Sequence, residues 1–153
     1  MKYQVPEVGE IEIKTIILDL NGTLSVNGKI PDGVKERLKK LKDLGIKVIL
    51  LTGDQRGTAA DLCKEYGIDF VRTKNGKEKE AAMKSFDSET TAAIGNARID
   101  IGTFKHAKVS LATLQSEGVH MGIICNVDVV VPSINDALDF FIDSDIFCVT
   151  LRK

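Results

Sequence analysis

The run Ile16-Ile17-Leu18-Asp19-Leu20-Asn21-Gly22-Thr23-Leu24 constrains this chain more than any other stretch. A continuous apolar run with β-branched residues reads as a strand buried on both faces, and such strands belong to parallel sheets covered by helices. The polar residues follow where that strand runs out into a loop, the end at which open α/β sheets keep their chemistry. An Asp pinned at a strand tip can attack phosphorus in line and become an aspartyl phosphate, and Gly22 lets main-chain N–H groups come close to an anion. On its own the string also reads as a strand ending in an Asx turn. Three later stretches favour the first reading.

The pattern around it predicts alternating strands and helices. Val8 to Lys14 alternates apolar and charged residues, which predicts a half-exposed edge strand beside the first core strand. Asn27-Gly28 between Val26 and Ile30 predicts a small hairpin flap over Leu24 to Ile30, next to the Asp19 loop. Pro31 opens a helix with Val34, Leu38, Leu41 and Leu44 on one face and Gly45 as its stop. Ile46 to Leu51 is a second buried strand, ending in Thr52-Gly53-Asp54, where a hydroxyl and loop N–H groups can hold phosphate oxygens beside Asp19. Thr58 to Tyr66 reads as a helix and Ile68 to Arg72 as a short strand. Glu78 to Phe86 reads as another helix, with Lys77 and Lys79 near its start. Lysine there opposes the helix dipole, which points one of the two toward an anion.

Thr90 to Ile94 is a further strand, followed by Gly95-Asn96-Ala97-Arg98-Ile99-Asp100 and a short helix to about Ala107. Asn96 and Asp100 can supply oxygen ligands to a hard cation. Lys108 to Ala112 and Val127 to Val131 read as strands, Thr113 to Ile124 as mainly helical, Ile134 to Ile142 as a helix and Ile146 to Leu151 as a last edge strand. Strands alternating with helices imply a largely parallel sheet covered on both faces.

Composition narrows the function classes. The 153 residues, 43% of them hydrophobic, suffice for one domain with a core, expected to span 1–153. Twenty-one basic and 22 acidic residues leave a net charge of -1, no electrostatic footprint for nucleic acid or an anionic membrane. Without a signal-like or membrane-length apolar run, a cytoplasmic protein is expected. Cys63, Cys125 and Cys148 are expected to be buried reduced thiols, and His106 and His120 to be structural.

The stretches Asp19 to Leu24, Thr52-Gly53-Asp54, Lys79 or Lys77, and Gly95 to Asp100 match, in order and spacing, the haloacid dehalogenase superfamily of aspartate-nucleophile phosphohydrolases. Within it, the chain is most similar to small soluble proteins related to the phosphorylation domain of P-type ATPases, whose members also tend to carry Asn at Asn21 and Asn96. The resemblance implies a three-layer, Rossmann-like α/β fold. It further implies that Asp19 is the nucleophile and that Mg²⁺ sits between Asp19, the main-chain carbonyl of Asn21 and the Asn96/Asp100 loop. Asn21, Gly22, Thr52, Gly53 and the lysine, Lys79 as first choice and Lys77 as second, would hold the phosphoryl group. A metaphosphate-like transition state needs such neutralisation of its equatorial oxygens. Neither family insertion point has room for a cap domain. The site should therefore be open to a small phosphorylated substrate or a phosphoprotein, covered at most by the flap or by another subunit of a homo-oligomer.

Two positions depart from the family pattern. Asn21 stands where the usual acid/base is a second Asp, and losing such a group costs about a hundredfold to ten-thousandfold in rate. Asn96 replaces a carboxylate, which weakens the expected metal site. Slow hydrolysis is the expectation, with leaving groups that need no proton, such as phosphoanhydrides or acyl phosphates, favoured. A non-catalytic or phospho-accepting module on the same fold is the alternative, and a receiver-like signalling domain fits the Gly22-Thr23 turn and the Asn96 to Asp100 loop less well.

Overall fold

The computed structural model describes residues 1–53 and 58–153. Two short strands, β1 (Lys2–Val5) and β2 (Gly9–Glu12), pair antiparallel in a sheet of their own. The next six are β3 (Thr15–Leu18), β4 (Lys47–Thr52), β5 (Asp69–Arg72), β6 (Thr91–Gly95), β7 (Val109–Thr113) and β8 (Val129–Val131). Among the described residues these form one parallel sheet in the order β5-β4-β3-β6-β7-β8. From β3 the chain winds outward to β5, then returns to β6 on the other side of β3. The order therefore reverses between β3 and β6, and the crevice above that switch point is where such sheets bind ligands.

Helices cover both faces, as expected for parallel strands. They are α1 (Val34–Asp43), α2 (Thr58–Tyr66), α3 (Gly76–Met83), α4 (Ile101–His106), α5 (Ile134–Ile142) and α6 (Ser144–Leu151). Ile16, Leu18, Leu50, Ile94 and Leu111 share the larger core with Leu38 and Leu41 of α1, Leu138 and Phe141 of α5 and Phe147 of α6. On the opposite face Ile17, Ile49 and Leu51 meet Met83 of α3, while Ala93 and Ala112 meet Phe104 of α4. No helix among the described residues is long and apolar enough to cross a membrane.

Several expectations need correction. The alternation in Val8 to Lys14 is real, with Ile11 buried, but β2 pairs with β1 and not with the first core strand. Tyr3 and Val5 of β1 supply the buried row beside Ile11. Ile146 to Leu151 is helical. The Asp143 side chain caps α6 by accepting from the N–H groups of Asp145 (2.9 Å) and Ile146 (3.2 Å), and Phe147 stacks on Tyr3 with ring centroids 3.7 Å apart. Ile146 and Val149 of this segment are exposed, and Phe147 is the residue it buries. Thr113 to Ile124 is not mainly helical: a loop leads to a 3-10 turn at Met121–Asn126. The first helix starts at Val34, after Gly33, and Leu44 lies outside its buried face. Cys125 is exposed, against the expectation for all three thiols.

Candidate active site

The tips of β3 and β6, the two strands flanking the switch point, deliver Asp19 and the Gly95 to Asp100 loop to one place. Asp19 donates its N–H to the carbonyl of Ile94 (3.0 Å), which ties the two tips together. Lys79, on the first turn of α3, reaches between them. Its ammonium is hydrogen-bonded to Asp19 Oδ1 and to Asp100 Oδ1 (2.7 Å), and its side chain is 2% exposed. Asn75 caps α3 by accepting from Glu78 N–H (3.0 Å), so the helix need not use the lysine there. Lys77 is exposed and lines a surface groove with Arg98 and Glu80. Of the two lysines, Lys79 is the one beside Asp19.

Asp100 is held from behind. Its Oδ2 accepts from the N–H groups of Asn96 (3.2 Å) and Ala97 (3.0 Å), leaving Oδ1 for Lys79. Gly95 is needed for this approach, because a Cβ there would lie 2.6 Å from Asp100 Oδ2. The Asn96 side chain accepts from Thr23 Oγ1 (3.3 Å) and donates to the Gly118 carbonyl (2.9 Å). Gly22, with φ 76, passes so close to it that a Cβ would sit 2.2 Å from Asn96 Nδ2.

One ammonium faces two carboxylates. Burial, and then the nearby charge of Asp100, push the Asp19 carboxyl up to about 6, although Lys79 and the Leu20 N–H pull the other way. For Lys79, burial alone lowers the affinity for a proton, but the charges of Asp19 and Asp100 outweigh it and raise the pKa.

The remaining predicted residues lie on the same edge of the sheet. Thr52 ends β4, the strand beside β3, is buried, and accepts at its carbonyl from Thr73 N–H (2.9 Å). Gly53 follows it and is exposed, whereas Asp54 lies outside the described residues. Asn21 is exposed. The flap forms as a tight turn: Val26 and Lys29 exchange main-chain bonds of 2.8 and 3.0 Å, with Asn27 at φ 51 and Gly28 at φ 75.

Sequence reasoning missed the clamp that holds this loop. Thr113 Oγ1 (3.2 Å) and Gln115 Nε2 (3.0 Å) both donate to the Gly22 carbonyl, Gln115 Nε2 also to the Thr23 carbonyl (2.7 Å). Gln115 Oε1 accepts from Ile134 N–H at the start of α5 (2.9 Å), so one amide joins the Asp19 loop to a helix end. The flap tip is tied to the same loop, Asn27 donating through its N–H to Glu117 (2.6 Å) and through Nδ2 to Ser116 (3.0 Å).

The model of the haloacid dehalogenase-like hydrolases matches residues 25–108, more than half of the chain. The chain belongs to that family. The match includes Thr52, Lys79, Asn96 and Asp100. Among solved structures, this haloacid dehalogenase-like hydrolase is similar to the cobalt-bound deoxy-D-mannose-octulosonate 8-phosphate phosphatase of Haemophilus influenzae, at a TM-score of 0.76 and 20% identity over 93% of this chain and 94% of that one. It is also similar to the 3-deoxy-D-manno-octulosonate 8-phosphate phosphatase of Moraxella catarrhalis, solved with magnesium, phosphate and a KDO molecule (TM-score 0.70, 17% identity, 90% of this chain and 91% of that one). The Yersinia pestis phosphatase of the same name matches at a TM-score of 0.68 and 19% identity, over 88% and 84%. At these identities the likeness establishes the shared Rossmann-like fold.

Proposed function

We propose that the protein is a Mg²⁺-dependent phosphohydrolase working through an aspartyl-phosphate intermediate. The observation that carries the reading is the buried cluster at the switch point, Asp19 bridged to Asp100 by Lys79. Family membership and the phosphatase names of its structural neighbours support it.

In this reading Asp19 attacks phosphorus. A bond forms from its carboxylate oxygen, the bond to the leaving oxygen breaks, and water then hydrolyses the acyl phosphate to return the carboxylate. Lys79 orients Asp19 and, with Thr52 and the main-chain N–H groups of Asn21 and Gly53, surrounds the phosphoryl oxygens, while the Gly22 N–H, expected to join them, donates instead to the Ser25 carbonyl (2.8 Å) and shapes the turn. The donors fit a hard divalent cation: all are oxygens, and two carboxylates, Asp19 and Asp100, share the single ammonium of Lys79. Asp19, the Asn21 carbonyl, Asn96 and Asp100 would hold magnesium, which supplies charge neutralisation at the phosphoryl group.

Asn21 cannot protonate a leaving alkoxide, so a carboxylate or phosphate leaving group suits the site better. Its position also favours a second reading, a phospho-accepting regulatory module that keeps the acyl phosphate because no base activates water. The similarity to the P-type-ATPase branch rests on Asn21 and Asn96 and fits either reading.

Phosphate release from acetyl phosphate, an alkyl phosphate and 3-deoxy-D-manno-octulosonate 8-phosphate, with magnesium and Asp19→Ala as control, tests the proposal. Release abolished by Asp19→Ala, fastest with acetyl phosphate, is expected. Release that survives Asp19→Ala would refute it. A stable phosphoryl adduct on Asp19 without turnover would establish the second reading instead.

A further inference from the structure

We infer that β5 is a dimerisation edge, pairing antiparallel with β5 of a second copy across a two-fold axis at Val71. This strand is terminal in the sheet, with no strand beyond it among the described residues, and all four of its residues, Asp69 to Arg72, are exposed. Phe70 and Val71 are 40% and 37% exposed. Beside them lies a 540 Å³ groove walled by Ile49, Cys63, Ile68 and Phe86. A short apolar edge with unpaired main-chain groups is a template for another strand.

The ladder to β4 fixes which groups are free. Thr73 N–H donates to the Thr52 carbonyl (2.9 Å), so Thr73, Val71 and Asp69 turn their main-chain groups toward β4. By alternation Phe70 and Arg72 turn theirs to the open edge. Opposed residues in an antiparallel pair must both face the partner or both face away, so the two-fold registers centre on Asp69, Phe70, Val71 or Arg72. Centring on Asp69 would oppose two carboxylates and pair Phe70 with Ile68 of the second copy. Centring on Phe70 would require Ile68 to bond with Arg72 of the second copy, but Ile68 N–H already donates to the Cys63 carbonyl (3.0 Å). Centring on Arg72 would oppose two guanidinium groups. Centring on Val71 lets Phe70 and Arg72 of the second copy exchange both main-chain bonds, and the symmetry repeats this for Arg72 and Phe70.

The side chains agree with that register. Phe70 and Arg72 share one face of the strand, so each guanidinium meets the ring of Phe70 in the other copy, a favourable cation–π pairing made twice. Val71 meets Val71 on the opposite face. Because paired sheets run in opposite directions, their catalytic tips point away from each other. The dimer thus leaves each site open, unlike an oligomer in which a neighbour covers it.

Sedimentation of the full chain and cross-linking test this. In a Cys125→Ser, Cys148→Ser background, Val71→Cys is expected to form a disulfide-linked dimer under mild oxidation, because central residues of a non-hydrogen-bonded pair lie about 4.5 Å apart at Cα. Asp69→Cys and Phe70→Cys are expected to cross-link poorly. Phe70→Asp is expected to weaken association by about tenfold or more while its circular dichroism and melting stay those of a folded protein. A chain that stays monomeric at high concentration, a dimer indifferent to Phe70→Asp, or cross-linking at 69 or 70 equal to that at 71 would overturn the inference.

Discussion

Replacing Asp19, the proposed nucleophile, with its neutral isostere should stabilise the metal-free protein. The Asp19 carboxyl titrates at about 6, above its ordinary value of 3.8, because burial and Asp100 disfavour the ionised form. A raised carboxyl favours the fold fully at pH values below 3.8, and that contribution is lost as pH rises through 6. Above both values the rise from 3.8 to about 6 amounts to about 3 kcal/mol. Asp19→Asn keeps an oxygen to accept from Lys79 and removes the charge. At pH 7.5 with a chelator its melting temperature should exceed the parent's by about 6–12 °C, since 1 kcal/mol shifts a domain of this size by about 2–4 °C. At pH 4 the advantage should nearly vanish. Magnesium should close the gap at pH 7.5 by stabilising only the parent. Calorimetry at two pH values, with chelator and with magnesium, makes the comparison. A variant less stable than the parent at pH 7.5, or an advantage independent of pH, would refute the charge argument.

Other substitutions probe the same cluster from different sides. Lys79→Met leaves Asp19 and Asp100 buried without their shared cation and should cost about 3–5 kcal/mol in urea unfolding at pH 7.5, less at pH 4. Gly22→Ala places a Cβ 2.2 Å from Asn96 Nδ2 at a φ of 76, so a loss of about 2 kcal/mol or more is expected by the same measurement. Gln115→Leu frees the Gly22 and Thr23 carbonyls and the Ile134 N–H; the expected stability loss is about 1–3 kcal/mol, with a drop in kcat larger than any change in KM for acetyl phosphate.

What could be read in advance divides by range along the chain. Strands β3, β4 and β6 announce themselves because parallel strands buried on both faces are continuous apolar runs, and their polar tips follow directly. The helix dipole argument found a lysine that needs an anion, and geometry, not sequence, separates Lys79 from Lys77. The role of Gln115 carried no local signal. It lies among glycines and polar residues that fit a loop or a broken helix equally well, and its partners are about ninety residues away at Gly22 and Thr23. The same holds for α6, whose β-branched residues suggested a strand until Tyr3, at the other end of the chain, supplied the surface for Phe147. Local propensity yields wherever the deciding contact is distant in sequence.

The two asparagines that depart from the family pattern sit in different electrostatic settings, and restoring a carboxylate at each should separate stability from turnover. Asn96 is 8% exposed, packed between Thr23 and Gly118. Asn96→Asp adds a second uncompensated charge to a cluster already short of one cation, and turns the donor facing the Gly118 carbonyl into an acceptor. A loss of about 1–3 kcal/mol in the metal-free protein is expected, recovered in part by magnesium. Asn21 is exposed, so Asn21→Asp adds its charge where water screens it, and the fold should hardly register the change. Turnover of an alkyl phosphate, however, should rise by about a hundredfold or more once a group able to protonate the leaving oxygen is present. Melts with and without magnesium, beside phosphate release from an alkyl phosphate, decide between these effects. Equal destabilisation by the two changes would mean that burial does not set the cost of charge in this pocket, and the account of the raised Asp19 carboxyl would fall with it.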